Sequence, residues 1–201
     1  MKIGITLNEV LRDYISQFIH TYQKYIGETN LTTNDVTSLD LLDFFTFKNV
    51  DELNTFLYLE APLEIFGHAD QTYDGVFNQL NTFIMDIKDG EEHQLEIVSR
   101  EVDKSIPSTL FFLSKVGCKM ENLRFVQNHK DKWDGLDVLI TANPTALENK
   151  PEGKVSVKVK TPYNQNTPSD FEIDSILDFI KDETLRDKIL NTKITTYENV
   201  K

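Results

Sequence analysis

The residues whose types could do chemistry stand at the ends of short apolar runs. Ile3 to Ile5 leads into Thr6-Leu7-Asn8-Glu9, Leu95-Glu96-Ile97-Val98 into Ser99-Arg100-Glu101, and Val138-Leu139-Ile140 into Thr141-Ala142-Asn143. Two further runs, Leu123 to Val126 and Val155 to Val159, end in Gln127 to Lys132 and in Lys160 to Tyr163. An apolar strand that ends in small polar residues and passes into a helix is how many α/β proteins hold phosphate, because backbone amides and the helix N-terminus point at the ligand. The chemistry expected of the first such turn needs carboxylates. This one carries a threonine and an asparagine.

The elements that must position these ends follow from periodicity. Met1 to Thr6 is predicted as a strand, and Val10, Leu11, Tyr14, Ile15, Phe18, Ile19, Tyr22 and Ile26 recur at helical spacing up to Gly27. From Glu28 the chain turns polar and then aromatic-rich to about Gly90, with helices expected at Leu41 to Phe47, Val50 to Leu59 and Val76 to Ile87. Strands and helices alternate from His93 onward, with a helix from Ile106 to Val116 ended by Gly117. That alternation implies a parallel sheet wound by right-handed crossovers, with ligands at the carboxyl ends of its strands. Ser169 with Glu172 reads as a capping box opening a helix that runs through Phe171, Ile176, Leu177 and Ile180. The pattern continues at Leu185 to Leu190, and Thr195 to Lys201 is a polar tail, mobile or docked on a partner. The expected fold is α/β: a three-layer Rossmann-like parallel sheet (1–27 and 91–201) with a helical cap inserted at 28–90.

Composition removes several function classes. With 33 acidic against 21 basic residues and a net charge of -12, the chain repels a phosphate backbone, so direct nucleic-acid binding is not expected. No apolar window reaches the roughly 18 residues of a membrane span, and Gly4, Thr6, Asn8 and Glu9 interrupt any signal-peptide core. Cys118 is the single cysteine, which excludes an internal disulfide and a thiolate cluster. A cytoplasmic or virion location is expected, and Asn30-Leu31-Thr32 is an incidental sequon. His20, His68, His93 and His129 lack metal-ligand spacing. Ser99, His129 and Asp137 form a triad only on paper, since no glycine elbow surrounds Ser99. The run Phe44-Phe45-Thr46-Phe47, with Phe56, Tyr58 and Phe66, is expected to be the cap's own core.

Three segments, IGITLNEVLRDYI, EIVSREVDKSIPSTLFFLSKVG and HKDKWDGLDVLITANP, occur in an order that resembles the haloacid dehalogenase-like superfamily, and within it the small 5'(3')-deoxyribonucleotidase-like branch. The first aligns with the family's apolar-D-x-D-G-V-L-x-D pattern, the second with its phosphate-binding hydroxyl, and the third with its lysine followed by a strand and an acidic pair. The resemblance implies an aspartate nucleophile at position 6, an acid–base aspartate at position 8 and a Mg²⁺ ion held with the help of acids at 141 and 142. Here those positions are Thr6, Asn8, Thr141 and Ala142. Glu9 is no substitute, being one residue further along a turn where about 1 Å of displacement costs roughly 100-fold. Loss of several members of one catalytic unit costs on the order of 10⁴ to 10⁶ in rate.

No catalytic residue and no metal or other cofactor is therefore expected; Thr6, Asn8, Ser99, Lys132, Thr141 and Ala142 would line a vestigial pocket. Ser99, with Lys130 or Lys132, matches the family's phosphate grip. The expected function is that of a catalytically inactive domain serving as a structural or interaction subunit, in a homo- or hetero-oligomeric assembly with other protein subunits, such as a phage virion or tail component. Two alternatives are an active, Mg²⁺-dependent phosphohydrolase or nucleotidase and a non-hydrolysing nucleotide sensor.

Overall fold

The computed structural model describes residues 1–90 and 93–192, the side chains of 87–90 excepted. Thr195 to Lys201, the expected polar tail, lies outside the described residues. Six strands, β1 (Lys2–Ile5), β2 (Gln94–Arg100), β3 (Leu123–Val126), β4 (Val138–Thr141), β5 (Val155–Val159) and β6 (Phe171–Ile173), form one parallel sheet in the order β3-β2-β1-β4-β5-β6. Every residue of β4 and β5 is buried, as parallel strands covered on both faces must be. The order reverses at β1, where the chain leaves toward β2 and β3 and later returns to β4. That reversal places a crevice at the carboxyl end of β1.

Helices α1 (Tyr14–Tyr25), α2 (Val50–Thr55), α3 (Val76–Gly90), α4 (Ser105–Lys115), α5 (Pro144–Glu148), α6 (Ile176–Lys181) and α7 (Glu183–Leu190) surround the sheet and build the cap. Three differ from the sequence expectation. Helix α1 begins at Tyr14, because the Leu7 carbonyl accepts from the amides of Val10, Leu11 and Arg12 and folds those residues into a tight turn that buries Val10 and Leu11 under the sheet. The segment expected as a helix at Leu41 to Phe47 is a single 3₁₀ turn at Leu41–Asp43, while α2 widens into a π-helical turn at Phe56–Glu60 and a second follows at Leu63–Gly67. Phe171–Ile173 is strand β6, since Asp170 accepts from both the amide and hydroxyl of Ser156 and pins the chain along β5. The helical capping box is one turn later, at Ser175 and Asp178.

Apolar packing gathers most buried side chains into two large clusters, one around the sheet and one in the cap. The buried face of α1 (Ile15, Phe18, Ile19, Tyr22) packs with Phe45, Phe56 and Phe66 in the cap, whereas α3 (Val76, Phe77, Leu80, Phe83, Ile84) packs under the sheet. Helix α1 thus packs with the cap and α3 with the sheet. At the centre of the cap cluster is Phe18, edge-on to Phe45 at 4.8 Å and to Phe56 at 6.2 Å between ring centroids. Such pairs add about 0.5–1.5 kcal/mol each beyond burial.

Candidate functional site

A cavity of about 530 Å³ lies between the carboxyl edge of the sheet and the cap. Its floor is supplied by the carboxyl end of β2 and by the segments that follow β1, β3 and β4: Ser99 and Arg100, Thr6 and Asn8, His129 and Lys132, Asn143 and Thr145. Four of the six residues expected in a vestigial pocket, Thr6, Asn8, Ser99 and Lys132, thus line one space. Thr141 is fully buried just behind it, its hydroxyl accepting from Thr6 Oγ1 at 3.1 Å and from the Asn143 amide at 3.1 Å. Ala142 is buried beside it, and its carbonyl accepts from Asn164 Nδ2 at 2.9 Å. Lys130 is exposed and does not line the cavity.

Beneath the floor is a buried ion pair. Arg12 donates to Glu101 Oε1 at 2.8 Å, with both side chains shielded from solvent. The same guanidinium donates to Asn8 Oδ1 through Nε at 2.9 Å and Nη2 at 2.6 Å, to Thr109 Oγ1 at 2.7 Å and to the Phe66 carbonyl at 3.3 Å. Ser99 spends its one hydroxyl hydrogen on Glu101 Oε1 at 2.9 Å, so it meets the cavity with lone pairs. Lys132, 5% exposed, makes no side-chain hydrogen bond or ion pair among the described residues. Burial lowers its pKa to about 8, against the opposing pull of the Glu101 charge. His129 is driven down to about 3 by burial and by the neighbouring Lys132 and Arg100 charges, so it is neutral at ordinary pH.

The cap wall is aromatic. Tyr14 and Phe66 stack at 5.6 Å, and Tyr58 stacks on the same Phe66 at 5.9 Å, giving a column of three rings. Arg100 donates to the Tyr58 hydroxyl at 2.9 Å and lies over its ring. Leu39, Leu41, Val50, Leu53, Leu57 and Tyr163 line the rest, with Asp40 and Asn54 among them. The sheet end of the cavity is mainly polar, with two cations, and the cap end is mainly aromatic and aliphatic.

Glu9 lies outside the cavity lining. It has φ of 61°, the left-handed conformation that favours glycine, and its carboxylate accepts from the Ile15 amide at 2.8 Å in the first turn of α1. Burial raises its pKa to about 7.

The donors present do not fit a divalent metal. Mg²⁺ requires hard, largely anionic oxygens in near-octahedral array. Thr6 and Thr141 are bonded to one another, Asn8 Oδ1 is held by Arg12, Asn143 Oδ1 caps the Ala146 amide at 2.9 Å, and the Ala142 carbonyl is held by Asn164. None of these is a carboxylate; the carboxylates nearby are Glu101, buried beneath the floor with Oε2 unpartnered, and Asp40 on the cap side, which accepts from the Leu42 amide at 3.2 Å, and no three metal-ligating side chains cluster among the described residues.

Sequence reasoning missed Arg12, gave Arg100 and Glu101 no role beyond the polar end of a strand, and read Tyr58 and Phe66 as the cap's own core, whereas both line the cavity. The one available signal was Arg12 itself, a cation two residues past a buried Val10 in a stretch with helical spacing.

No family model and no curated protein matches the sequence. Among solved structures, the chain is similar to a protein from Burkholderia xenovorans described as a haloacid dehalogenase-like hydrolase, with a TM-score of 0.59 over 92% of this chain and 96% of that one, at 12% identity. That likeness shows the haloacid dehalogenase-like, Rossmann-like fold.

Proposed function

We propose that the protein binds a small phosphate monoester, a nucleoside monophosphate being the type that matches both ends of the cavity, and does not hydrolyse it. The observation that carries this reading is Lys132: a side chain only 5% exposed, whose ammonium has no hydrogen-bonded partner among the described residues and which lines the same space as Asn8. A buried charge of that kind is costly unless a counter-ion comes to it. The ring column supplies a stacking wall for the group esterified to phosphate. Turnover is not supported, because Thr6 has no adjacent base and its hydroxyl is bonded to Thr141.

Calorimetry with nucleoside monophosphates tests the binding. Saturable heat is expected, weakened at least about tenfold in Lys132→Met, since hydrogen bonds to charged groups contribute roughly 1.5–3 kcal/mol. Affinity should also fall by about tenfold per pH unit above pH 8, as the Lys132 ammonium loses its proton. No heat from any monophosphate at millimolar concentration would remove the reading. Mg²⁺-dependent phosphatase turnover that disappears in Thr6→Ala would replace it with the active-enzyme alternative.

A second reading, an interaction subunit of a larger assembly such as a virion or tail, is favoured by one observation. Leu63 of the cap and Phe111 of α4, 46% and 45% exposed, meet on the surface on either side of Gly67. A native mass that stays monomeric at high concentration and without partners in its source would remove it.

A further inference from the structure

We infer that Arg12 is a positioning residue that makes the cavity floor a metal-free anion site: it occupies the side-chain oxygen of Asn8 and pairs with the Glu101 charge, leaving the Asn8 amide hydrogens and the Lys132 ammonium to the ligand. The inference rests on the phosphate-binding reading above and adds how that site dispenses with a divalent cation.

The guanidinium has five N–H hydrogens and no acceptor. In this fold each is used: Nε on Asn8 Oδ1, Nη2 on Asn8 Oδ1 and Glu101 Oε1, Nη1 on Thr109 Oγ1 and the Phe66 carbonyl. Two consequences follow from the forked contact with Asn8. Both lone pairs of Oδ1 are occupied, so Asn8 has no side-chain oxygen with which to ligate a cation. The amide orientation is also fixed, because only the oxygen can face a guanidinium, and the Nδ2 hydrogens are therefore turned from Arg12 toward the cavity that Asn8 lines.

The ion pair with Glu101 has a third consequence. Glu101 Oε1 is filled by Arg12 and Ser99, Oε2 is buried without a hydrogen-bond partner, and the positive charge of Arg12 balances the carboxylate whose field reaches Lys132. Lys132 and Arg100 are left as the charges of the floor, both positive. Asn8 and Lys132 then present hydrogens alone, an arrangement that draws in a phosphate and repels Mg²⁺. The cation that a metal would bring is built into the chain and cannot be exchanged.

The test follows the Asn8 side-chain amide signals of the ¹⁵N-labelled full chain in two separate titrations. With MnCl₂ alone, those signals are expected to stay sharp; selective paramagnetic broadening there would overturn the inference. With inorganic phosphate, they are expected to shift, with the same affinity in EDTA as in excess MgCl₂. A shift that requires MgCl₂ would overturn the inference, whereas no shift under either condition would remove the phosphate reading and leave the MnCl₂ result to decide the metal question. Arg12→Lys keeps a charge opposite Glu101 but cannot fork onto Asn8, and phosphate affinity should fall about tenfold. Unchanged affinity in that folded variant would overturn the positioning role. Asn8→Asp, close to isosteric, serves if Arg12→Lys does not fold: Arg12 should pair with the new carboxylate, so Mn²⁺ stays excluded while phosphate affinity falls at least tenfold. A Mn²⁺ site created by Asn8→Asp alone would sink the inference.

Discussion

Glu9 shows how a residue can be legible in type and illegible in role. Its sequence position, just after Asn8, is where the resembling family places glycine, and the backbone there keeps the left-handed turn at φ 61°. A non-glycine residue in that conformation costs roughly 1–2 kcal/mol. The side chain offsets part of this by accepting from the Ile15 amide, but burial penalises its charge and holds its pKa near 7. A folded pKa above the unfolded value of 4.5 means that the native state binds more protons between the two. Stability contributed by this group is therefore greatest below pH 4.5 and is lost as pH rises through 7, on the order of 3 kcal/mol if the shift is fully expressed. Glu9→Gln keeps an acceptor for Ile15 and has no charge to bury. It should raise the melting temperature at pH 8 and have little effect at pH 4.5, read by thermal denaturation at both values; equal effects at the two pH values would contradict the buried-carboxyl account. The neutral pair Thr6 and Asn8 was readable as a departure from acid chemistry. What neutralised Asn8 further, the fork from Arg12, was not, because a hydrogen-bond network joining residues 8, 12, 66, 101 and 109 has no signature in local spacing.

At the scale of elements, the central strands were legible and the ends of helices were not. Alternating or continuous apolar runs identify β1 to β5 because burial on both faces imposes that composition. β6 is only Phe171–Ile173, and its sequence also fits a helix entry; the Asp170–Ser156 bonds that decide it join residues fourteen apart in the chain. The π-helical turns at Phe56–Glu60 and Leu63–Gly67 were equally hidden, since the carbonyls they free are satisfied from elsewhere: Gln17 donates to the Glu64 carbonyl at 2.8 Å and Arg12 to that of Phe66. Tertiary partners, not local propensity, set those geometries. The centre of the sheet makes the sharpest prediction at this scale. Gly4 in β1 pairs with Glu96 of β2 and Leu139 of β4, and a Cβ there would collide with Leu136 Cδ1 and crowd Leu139 and Val98. All three neighbours are fully buried, so none can move into solvent. Gly4→Ala should destabilise by about 1–3 kcal/mol despite the entropy that alanine removes from the unfolded chain. A melting temperature at or above that of the parent protein would show that the β1 face has room that the packing does not suggest.

Across the whole molecule, the cap is fastened to the sheet domain rather than resting on it. Arg12 reaches the cap carbonyl of Phe66 and Thr109 of α4 from one side chain, the Lys104 amide and ammonium donate to the carbonyls of Tyr58 and Leu59, and Lys115 donates to that of Ala69 at 2.8 Å. These bonds fix the ring column above Lys132 and Asn8 before any ligand arrives, which lowers the ordering cost of binding. Gly67 lets the two bodies approach so closely. A Cβ at that position would stand 2.7 Å from Leu63 Cδ1, 3.2 Å from Phe111 Cδ1 and 3.2 Å from the Ser108 carbonyl. Leu63 and Phe111 are half-exposed and can swing outward, but the Ser108 carbonyl belongs to the backbone of α4 and can yield only if the seam opens. Gly67→Ala is therefore expected to cost about 1 kcal/mol, at the lower end of overpacking effects, and to concentrate that loss at the seam. Native-state hydrogen exchange reads this directly. In the parent protein the His68 amide, bonded to the Leu63 carbonyl, should exchange about as slowly as the Thr6 amide in the sheet; in Gly67→Ala it should exchange about fivefold faster while Thr6 changes little. Exchange at His68 already orders of magnitude faster than at Thr6 in the parent would mean that the cap opens independently, and the cavity would then have to be assembled by its ligand.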